Sequence, residues 1–362
     1  MARKSRRMVG VMPESRPIRF GIIGCGTASI PVCEAIAASP LTELTTVYDV
    51  NQDMANDISQ RFHVPAADTL EELLTNPMVD AAYIAVPHYL LASLTQQALE
   101  AGKHALTEKP LAISLEDVDQ LIELATGRKL VLGVFYEMRH APAHATAREL
   151  IQAGAIGNIV GIQIQTLIDK SPTYWQSGYA GRSINPWRGI KAQAGGGVVL
   201  MNTSHLLDAL AYITDLCVTS VSAEVGTLVA NVEVEDFATA TLRFNNGAIG
   251  SLIAGAHIHG AHGDECCHIH GTEGQIRLPD PYGSNPLRLY LKRDWGDFSA
   301  GQWHSIYNEP VPVYKRAIED FAQSIRSGDN CAPINGHDAR YVLSVVLAIY
   351  QSAAERRMIS LS

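Results

Sequence analysis

Short apolar runs alternate with segments of helical periodicity over the first part of the chain. The runs occupy residues 18–26, 44–50, 80–87, 104–110 and 129–137. Between them, apolar residues recur at helical spacing up to residue 38 and over residues 54–62 and 91–101. Short buried strands that alternate with helices are typical of βαβ units. We therefore expect a doubly wound parallel sheet, an α/β architecture, over residues 17–138.

The pattern changes after about residue 139, where long runs alternate between apolar and polar residues. These runs occupy residues 158–168, 218–230, 236–244, 247–259 and 286–292. Asn246-Gly247 separates two of them and is typical of a tight hairpin turn. Residues 314–328 and 338–357 have the periodicity of two amphipathic helices. For residues 139–362 we predict an α+β domain with a large, mostly antiparallel sheet, and for residues 1–16 a disordered tail.

Composition narrows the class of protein. The chain has 362 residues, 47% of them hydrophobic, and a net charge of −9 with both signs mixed along it. This argues against a nucleic-acid-binding surface. We expect no membrane segment, because no run approaches the roughly 18 apolar residues that a spanning helix needs. The basic start lacks the apolar stretch of a signal peptide, and the six cysteines show no framework spacing, so we expect a cytoplasmic protein with free thiols.

The sequence GCGTAS follows the first predicted strand and precedes a predicted helix. It contains Gly24, Gly26 and Ser29 in the G-x-G-x-x-G/A pattern of dinucleotide-binding loops, with Thr27 and Ala28 between them. Gly24 allows the tight turn, Gly26 allows a pyrophosphate to approach the backbone, and the helix N-terminus offers N–H groups. These features predict a Rossmann-type cofactor domain.

Asp49 ends the second predicted strand, where a carboxylate accepts hydrogen bonds from ribose hydroxyls. It would repel a 2′-phosphate, and no arginine follows immediately. We therefore predict NAD as the cofactor, with NADP less favoured. The alternative is that Asp49 is a surface residue at a strand end.

Several motifs occur in one order along the chain and together resemble the Gfo/Idh/MocA family of NAD(P)-dependent sugar and cyclitol oxidoreductases. Glu108-Lys109-Pro110 stands at the C-terminal end of a parallel strand, the edge at which open α/β sheets bind ligands. The others are the glycine loop, WRG at residues 187–189, the triple glycine with its downstream histidine, and residues 232–252 and 270–278. The resemblance covers residues 18–361.

The resemblance implies that Lys109 contacts the reacting hydroxyl and that His205 moves its proton, which agrees with the chemistry of an ammonium and an imidazole. It also implies cofactor contacts from Val86, Pro87, His88 and Glu108. Two positions depart from the family pattern. Met201 stands where the family often has an aspartate four residues before the histidine. His88 and Leu91 replace an asparagine and a histidine, which puts the nicotinamide-side contacts in doubt.

The segment GGGVVLMNTSHLLD, residues 195–208, places Asn202, His205 and Asp208 three residues apart, so that they share one helix face. We expect Asp208 to accept a hydrogen bond from His205 and to fix its tautomer, and the glycines to let a ligand approach. Asn202 and Asp208 are then substrate-side residues. The alternative is a buried polar network with no chemical role.

Residues 169–194 form a long loop of the kind that often carries function. Its aromatic and cationic side chains can pack on sugar C–H faces and bind hydroxyls or an anionic group. From it and from the domain junction we predict substrate contacts by Tyr136, Arg139, Tyr174, Trp175, Arg182, Trp187 and Arg188. The alternatives are an oligomer contact or a structural flap. The His- and Cys-rich residues 256–271 offer pairs of metal ligands, but we predict no metal, because the family needs none for hydride transfer.

Three functions remain open from the sequence. The first is NAD-dependent oxidation of a secondary hydroxyl of a sugar, glycoside or cyclitol. The second is a glycosidase, acting on a glycoside that includes an anionic sugar, in which oxidation, elimination, hydration and reduction leave no net NADH. The third is a catalytically silent sensor of NAD and sugar, against which Lys109 and His205 argue. The resemblance also implies a homodimer or homotetramer that assembles through the C-terminal sheet.

Overall fold

The structure is a computed structural model, and it describes residues 16–361 except 172, 179–180, 182–184, 262–263, 282–284 and 330. In the first part of the chain, five strands alternate with helices. In chain order they are β1 (Ile18–Ile23), α1 (Ser29–Ala38), β2 (Thr42–Tyr48), α2 (Gln52–Phe62), α3 (Leu70–Thr75), β3 (Ala81–Ile84), α4 (His88–Glu100), β4 (His104–Thr107), α5 (Leu115–Arg128) and β5 (Leu132–Val134).

These strands form one sheet in the order β2-β1-β3-β4-β5, and every neighbouring pair is parallel. The predicted doubly wound sheet is confirmed. Its central strands are buried because helices cover both faces, as parallel sheets require. Helices α3 and α5 add to the expected elements; Thr69 and Ser114 cap their N-termini by accepting from backbone N–H groups.

The second part of the chain begins with a 3₁₀ turn directly after β5. It contains that turn (Glu137–His140), α6 (Pro142–Gln152), β6 (Ile159–Leu167), α7 (Tyr174–Ser177), a second 3₁₀ turn (Trp187–Gly189), α8 (Lys191–Ala194), a π-helical turn (Val199–Thr203), α9 (Ser204–Thr214), β7 (Val218–Gly226), β8 (Phe237–Phe244), β9 (Ile249–Gly255), β10 (Asp264–Gly271), β11 (Gly274–Leu278), β12 (Leu287–Leu291), β13 (Trp303–Ile306), α10 (Val313–Ser327), α11 (Gly336–Glu355) and β14 (Ile359–Ser360).

The second sheet has nine strands in the order β13-β12-β11-β10-β6-β9-β8-β7-β14. Its pairs are antiparallel except β6 with β9, which is parallel. The predicted large, mostly antiparallel sheet is therefore confirmed. The predicted hairpin is also present: Asn246-Gly247 joins β8 to β9, and Gly247 has the positive φ of 87° that such a turn requires.

The two last long helices connect the sheets. Although α10 follows the second sheet in the chain, its Phe321 packs against Phe20 of β1 with ring centroids 6.0 Å apart. A Cβ at Gly133 of β5 would lie 2.8 Å from the Phe321 ring, so glycine is needed for this contact. Helix α11 packs on both α5 and β7. Within the described residues, no helix is both long and apolar enough to cross a bilayer.

This arrangement fixes where a ligand site can form. The C-terminal ends of β1, β2, β3, β4 and β5 meet at one edge of the first sheet. The π-helical turn and the start of α9 lie against that edge, because Lys109, just after β4, reaches the carbonyl of Met201. Open parallel sheets bind ligands at such an edge.

Candidate active site

The glycine loop after β1 has the geometry of a dinucleotide cradle. Gly24 has a φ of +94°, and a Cβ there would lie 2.2 Å from the Ala85 carbonyl oxygen, so only glycine fits. A Cβ at Gly26 would meet no protein atom within 4 Å, which leaves the backbone open to a ligand. Thr27 and Ala28 are exposed, and no side chain caps the N-terminus of α1. The loop therefore fits a pyrophosphate.

Asp49 lies directly beside this loop. One carboxylate oxygen accepts from the N–H of Cys25 at 2.7 Å, and the other accepts from the N–H of Asn51 at 2.8 Å. The carboxylate is thus held at the end of β2, half-buried and next to the cradle. Its position suits ribose hydroxyls, and its charge disfavours a 2′-phosphate. On the far side of the cradle, Val86 and Pro87 are half-buried after β3.

Lys109 is anchored where the first sheet meets the π-helical turn. Its Nζ donates to the carbonyl oxygen of Met201 at 2.6 Å. Glu108 beside it is held by two donors: Tyr83 Oη at 2.7 Å and the backbone N–H of Lys109 at 3.2 Å. Burial raises the pKa of Glu108, while Lys109 and these hydrogen bonds oppose that rise. Glu108 therefore contributes to the position of Lys109 through its backbone contact.

His205 lies close to Lys109 in the first turn of α9. Burial, and secondly the charge of Lys109, lowers the pKa of His205 well below its usual value, so the imidazole is neutral near pH 7. The Tyr136 ring meets the imidazole edge-on, with centroids 5.7 Å apart. The nearest acidic oxygen to His205 Nδ1 is Glu137 Oε2 at 3.6 Å. A neutral imidazole next to an ammonium is a suitable pair for moving a hydroxyl proton.

Asp208 does not pair with His205, which corrects the sequence-based expectation. Both of its oxygens accept from Arg139, at 2.6 and 2.7 Å, and Asp338 adds a second carboxylate 3.0 Å from the same guanidinium. Burial raises the pKa of Asp208, and Arg139 opposes that rise. Asp208 and Arg139, both predicted to face the substrate, instead bind each other and fasten α9 to the end of β5.

Asn202 has a partner that the sequence analysis did not single out. Its side-chain oxygen accepts from Lys170 Nζ at 2.6 Å, and the same ammonium lies 3.7 Å from the centre of the Tyr174 ring. Lys170 is 1% exposed although it belongs to the long loop after β6. The signal that could have found it is a lysine four residues before the aromatic pair Tyr174-Trp175, since ammonium groups pack on ring faces.

The triple glycine is explained by packing within the protein, not by a ligand. A Cβ at Gly196 would lie 2.1 Å from Tyr350 Oη, and one at Gly197 would lie 1.8 Å from the Glu235 carbonyl oxygen. The Glu235 carboxylate accepts from the N–H groups of Gly197 and Val199 at 2.7 and 3.0 Å. Glu235 thus caps the π-helical turn, and the glycines allow its close approach.

One aromatic side chain of the loop, Trp187, packs against His88. Its Nδ1 lies 2.7 Å from the Ala194 carbonyl oxygen, its ring centroid is 4.6 Å from that of Trp187, and burial is the main reason that its pKa falls to about 3. Arg188 stacks on Trp187 at 4.6 Å and lies 5.5 Å from the Tyr174 ring. The structure therefore brings the predicted aromatic residues together, with Trp175 against Tyr174. Arg182 lies outside the described residues.

Two histidines of residues 256–271, His257 and His259, make contacts within the protein. His257 Nε2 accepts from Trp175 Nε1 at 3.0 Å, and its Nδ1 lies 3.1 Å from the Lys170 carbonyl oxygen. His259 pairs with Asp169 at the surface. In the part of the chain that the structure describes, no three His, Cys, Asp or Glu side chains come together as metal ligands.

Comparisons with known proteins agree with this geometry. Residues 18–136 match the oxidoreductase family model with the NAD-binding Rossmann fold, and residues 144–277 match the GFO/IDH/MocA C-terminal domain. A 1,5-anhydro-D-fructose reductase of Ensifer adhaerens is 29% identical, over 93% of this chain and 96% of its own. A levoglucosan dehydrogenase of Pseudarthrobacter phenanthrenivorans is 28% identical over the same shares.

The fold has solved counterparts as well. A structure of levoglucosan dehydrogenase in complex with NADH and levoglucosan superposes with a TM-score of 0.85 at 25% identity, covering 96% of this chain and 100% of the other. The Rossmann cradle, Asp49 and the family match together identify NAD as the cofactor. The chain belongs to the GFO/IDH/MocA family of NAD-binding oxidoreductases, whose relatives here act on sugars.

Proposed function

We propose that this protein is an NAD-dependent dehydrogenase that oxidises a secondary hydroxyl of a sugar, glycoside or cyclitol. The observation that carries the proposal is the pairing of Lys109 with His205. The ammonium is anchored 2.6 Å from the Met201 carbonyl, and its charge acts on the neutral imidazole of His205. The names of two relatives, a levoglucosan dehydrogenase and an anhydrofructose reductase, support a compact polyhydroxylated substrate.

Lys109 binds the reacting oxygen in this proposal. An ammonium donor beside that oxygen stabilises the negative charge that develops as the hydroxyl is oxidised. Its present acceptor is a backbone carbonyl, so a substrate hydroxyl can share the ammonium without leaving a buried carboxylate unpaired. Bound NAD supplies the hydride acceptor. The residues that would hold it are the glycine loop from Gly24 to Ala28 and Asp49, with Val86 and Pro87 opposite.

His205 takes the hydroxyl proton. Its lowered pKa keeps the imidazole neutral at physiological pH, the form that a general base needs. The side chain is only 12% exposed, which limits exchange of the proton with bulk water. The buried rings of Tyr174 and Trp187 support the guanidinium of Arg188, which provides donors for hydroxyls or an anionic substituent of the substrate.

The test is turnover with NAD and a panel that contains levoglucosan, free monosaccharides, uronic acids, cyclitols and nitrophenyl glycosides. The proposal expects stoichiometric NADH with at least one sugar or cyclitol. Lys109→Met should lower kcat/KM about 100-fold or more, because one charged donor to a developing oxyanion is lost. Lys191→Met is the matched control: this lysine begins α8 and is exposed, and its loss should leave turnover unchanged.

The same assay separates the alternatives. Nitrophenol released without net NADH, in a reaction that requires NAD only in catalytic amounts, would show an oxidoreductive glycosidase and not a dehydrogenase. Thermal stabilisation by a sugar without turnover of any compound would indicate the sensor. Product identification by mass spectrometry establishes the oxidised carbon for whichever compound reacts.

We also propose that the protein is cytoplasmic and assembles as a homodimer or homotetramer through the open face of the second sheet. Val160 of β6 and Ile249 of β9 are 52% and 50% exposed on neighbouring strands, an apolar surface that a second copy would cover. Light scattering of Val160→Lys should then report smaller particles than the unaltered chain. An unchanged mass would contradict this interface.

A further inference from the structure

His205 has a buried nitrogen whose expected partner, Asp208, binds Arg139 instead. Its Nδ1 is inaccessible to solvent and makes no hydrogen bond within the described part of the chain. Glu137 Oε2 lies 3.6 Å away, and the Glu137 side chain is 5% exposed. A buried donor without an acceptor destabilises the folded state. A shift of a few tenths of an ångström would give Nδ1 an ionic acceptor.

Two polar residues that share the segment of His205 accept hydrogen bonds from other side chains. Asp208 accepts two bonds from Arg139, and Asn202 accepts from Lys170. Glu137 opens the 3₁₀ turn directly after β5, and this position places its carboxylate beside the imidazole ring. The preceding Tyr136 meets the imidazole edge-on at 5.7 Å, which restricts the ring's rotation.

We propose that Glu137 is the positioning residue of His205, accepting a hydrogen bond from Nδ1–H so that Nε2 faces the substrate hydroxyl with its lone pair. The proposal rests on the role of His205 in the function proposed above. It assigns to a residue directly after β5 the task that the sequence suggested for Asp208. A carboxylate in this place sets the tautomer and stabilises the imidazolium that forms when the proton arrives.

The surroundings make such a carboxylate necessary. Lys109 disfavours a second positive charge on His205, which weakens the imidazole as a base. Glu137 offsets that effect by its negative charge. The titratable and charged groups that face this pair from the packed elements are Lys109 and Glu108 after β4, Tyr83 of β3, Tyr136 and Arg139 of the turn, and Tyr314 of α10.

Kinetics of Glu137→Gln test the charge while keeping the shape. We expect kcat to fall roughly 10- to 100-fold with little change in KM, as for other groups that orient a catalytic imidazole. The acid limb of the kcat–pH profile should move to lower pH, because His205 loses the charge that favours its protonation. Asp320→Asn is the matched control, since Asp320 pairs with His140 at 3.4 Å on the surface. An unchanged kcat and acid limb in Glu137→Gln would overturn the proposal.

The tautomer of His205 gives a second test. It is measured on the unaltered protein and requires no known substrate. Nitrogen-15 spectra of histidine-labelled, unaltered protein distinguish Nδ1–H from Nε2–H, and loss of one signal set in His205→Gln assigns the residue. The proposal requires the Nδ1–H form. Observation of Nε2–H would refute it even if the enzyme proves to be a sugar dehydrogenase, and Nδ1–H would support it even if the substrate panel fails.

Discussion

Replacing Arg139 by methionine tests whether the ion pair beneath α9 holds the site in place. The guanidinium donates to both oxygens of Asp208, at 2.6 and 2.7 Å, and lies 3.0 Å from Asp338. Asp208 is fully buried, and Arg139 is 11% exposed. The guanidinium carbon also lies 5.6 Å from the centre of the Tyr212 ring, and methionine keeps much of the apolar stem that leads to it. The substitution therefore removes the charge with little change in volume.

The expected cost follows from the charge left behind. Without Arg139, Asp208 must remain ionised in the interior or take up a proton. Protonating a carboxyl at pH 7 that ionises near pH 4 when unfolded costs at most about 4 kcal/mol. Breaking a buried pair from one side costs about 3–5 kcal/mol, in agreement. At pH 5, protonating the buried Asp208 costs less free energy than at pH 7. The loss of stability in Arg139→Met should therefore be smaller at pH 5.

Urea unfolding, followed by fluorescence at pH 7 and pH 5, measures this cost. Arg340→Met is the matched control. Arg340 makes a similar bidentate ion pair with Asp119, but both of these side chains are exposed. We expect that control to lose much less stability than Arg139→Met, because solvent screens an exposed pair. The double substitution Arg139→Met with Asp208→Leu should recover much of the stability. If Arg139→Met costs no more than Arg340→Met, the pair does not hold α9 as described.

Three further predictions concern acid stability, the cofactor and the glycines. Burial lowers the pKa of His144 to about 4, so the unfolded chain takes up a proton near pH 6.5 that the folded chain does not; acidification from pH 6.5 to 5 should cost about 2 kcal/mol through this residue, and His144→Gln should remove that part in urea titrations at both pH values. Asp49→Ser should raise the KM for NAD about 10-fold and reduce the preference for NAD over NADP. If the ratio of kcat/KM with NAD to kcat/KM with NADP stays unchanged, Asp49 does not bind the ribose. Gly26→Ala should fold normally but bind NADH more weakly by fluorescence titration, because its Cβ meets no protein atom. Gly197→Ala should instead lose soluble protein, because its Cβ would lie 1.8 Å from the Glu235 carbonyl oxygen; equal stability of the two variants would refute this distinction.

The sequence predicted the sheets well because their signals are local. Buried parallel strands appear as apolar runs and half-buried antiparallel strands as alternation, so β1 to β5 and the hairpin at Asn246-Gly247 could be placed without contacts. The short helix α3 was missed because its six residues barely exceed one turn. That α10 packs on the first sheet could not be foreseen, since its amphipathic pattern gives a face but not its partner.

The site shows the same limit at the level of single residues. Spacing suggested that Asn202 and Asp208 face the substrate and that Asp208 accepts from His205, but their partners, Lys170 and Arg139, are 32 and 69 residues away in the chain. The triple glycine was attributed to a ligand for the same reason: the Glu235 backbone and the Tyr350 hydroxyl that require it lie far along the sequence. The identity of a residue thus indicates which bonds its side chain can make. Only the packing of the folded chain determines its partner.

The contact between Lys109 and position 201 has a consequence for how this site can change over time. The acceptor of the ammonium is a main-chain oxygen, 2.6 Å away, which every amino acid supplies. Mutation at residue 201 can therefore alter the side chain facing Tyr174 without removing the anchor of Lys109. Substitutions can therefore accumulate at this position without loss of the reaction. Directed evolution toward new sugars should find neutral and specificity-changing substitutions at Met201 far more readily than at His205.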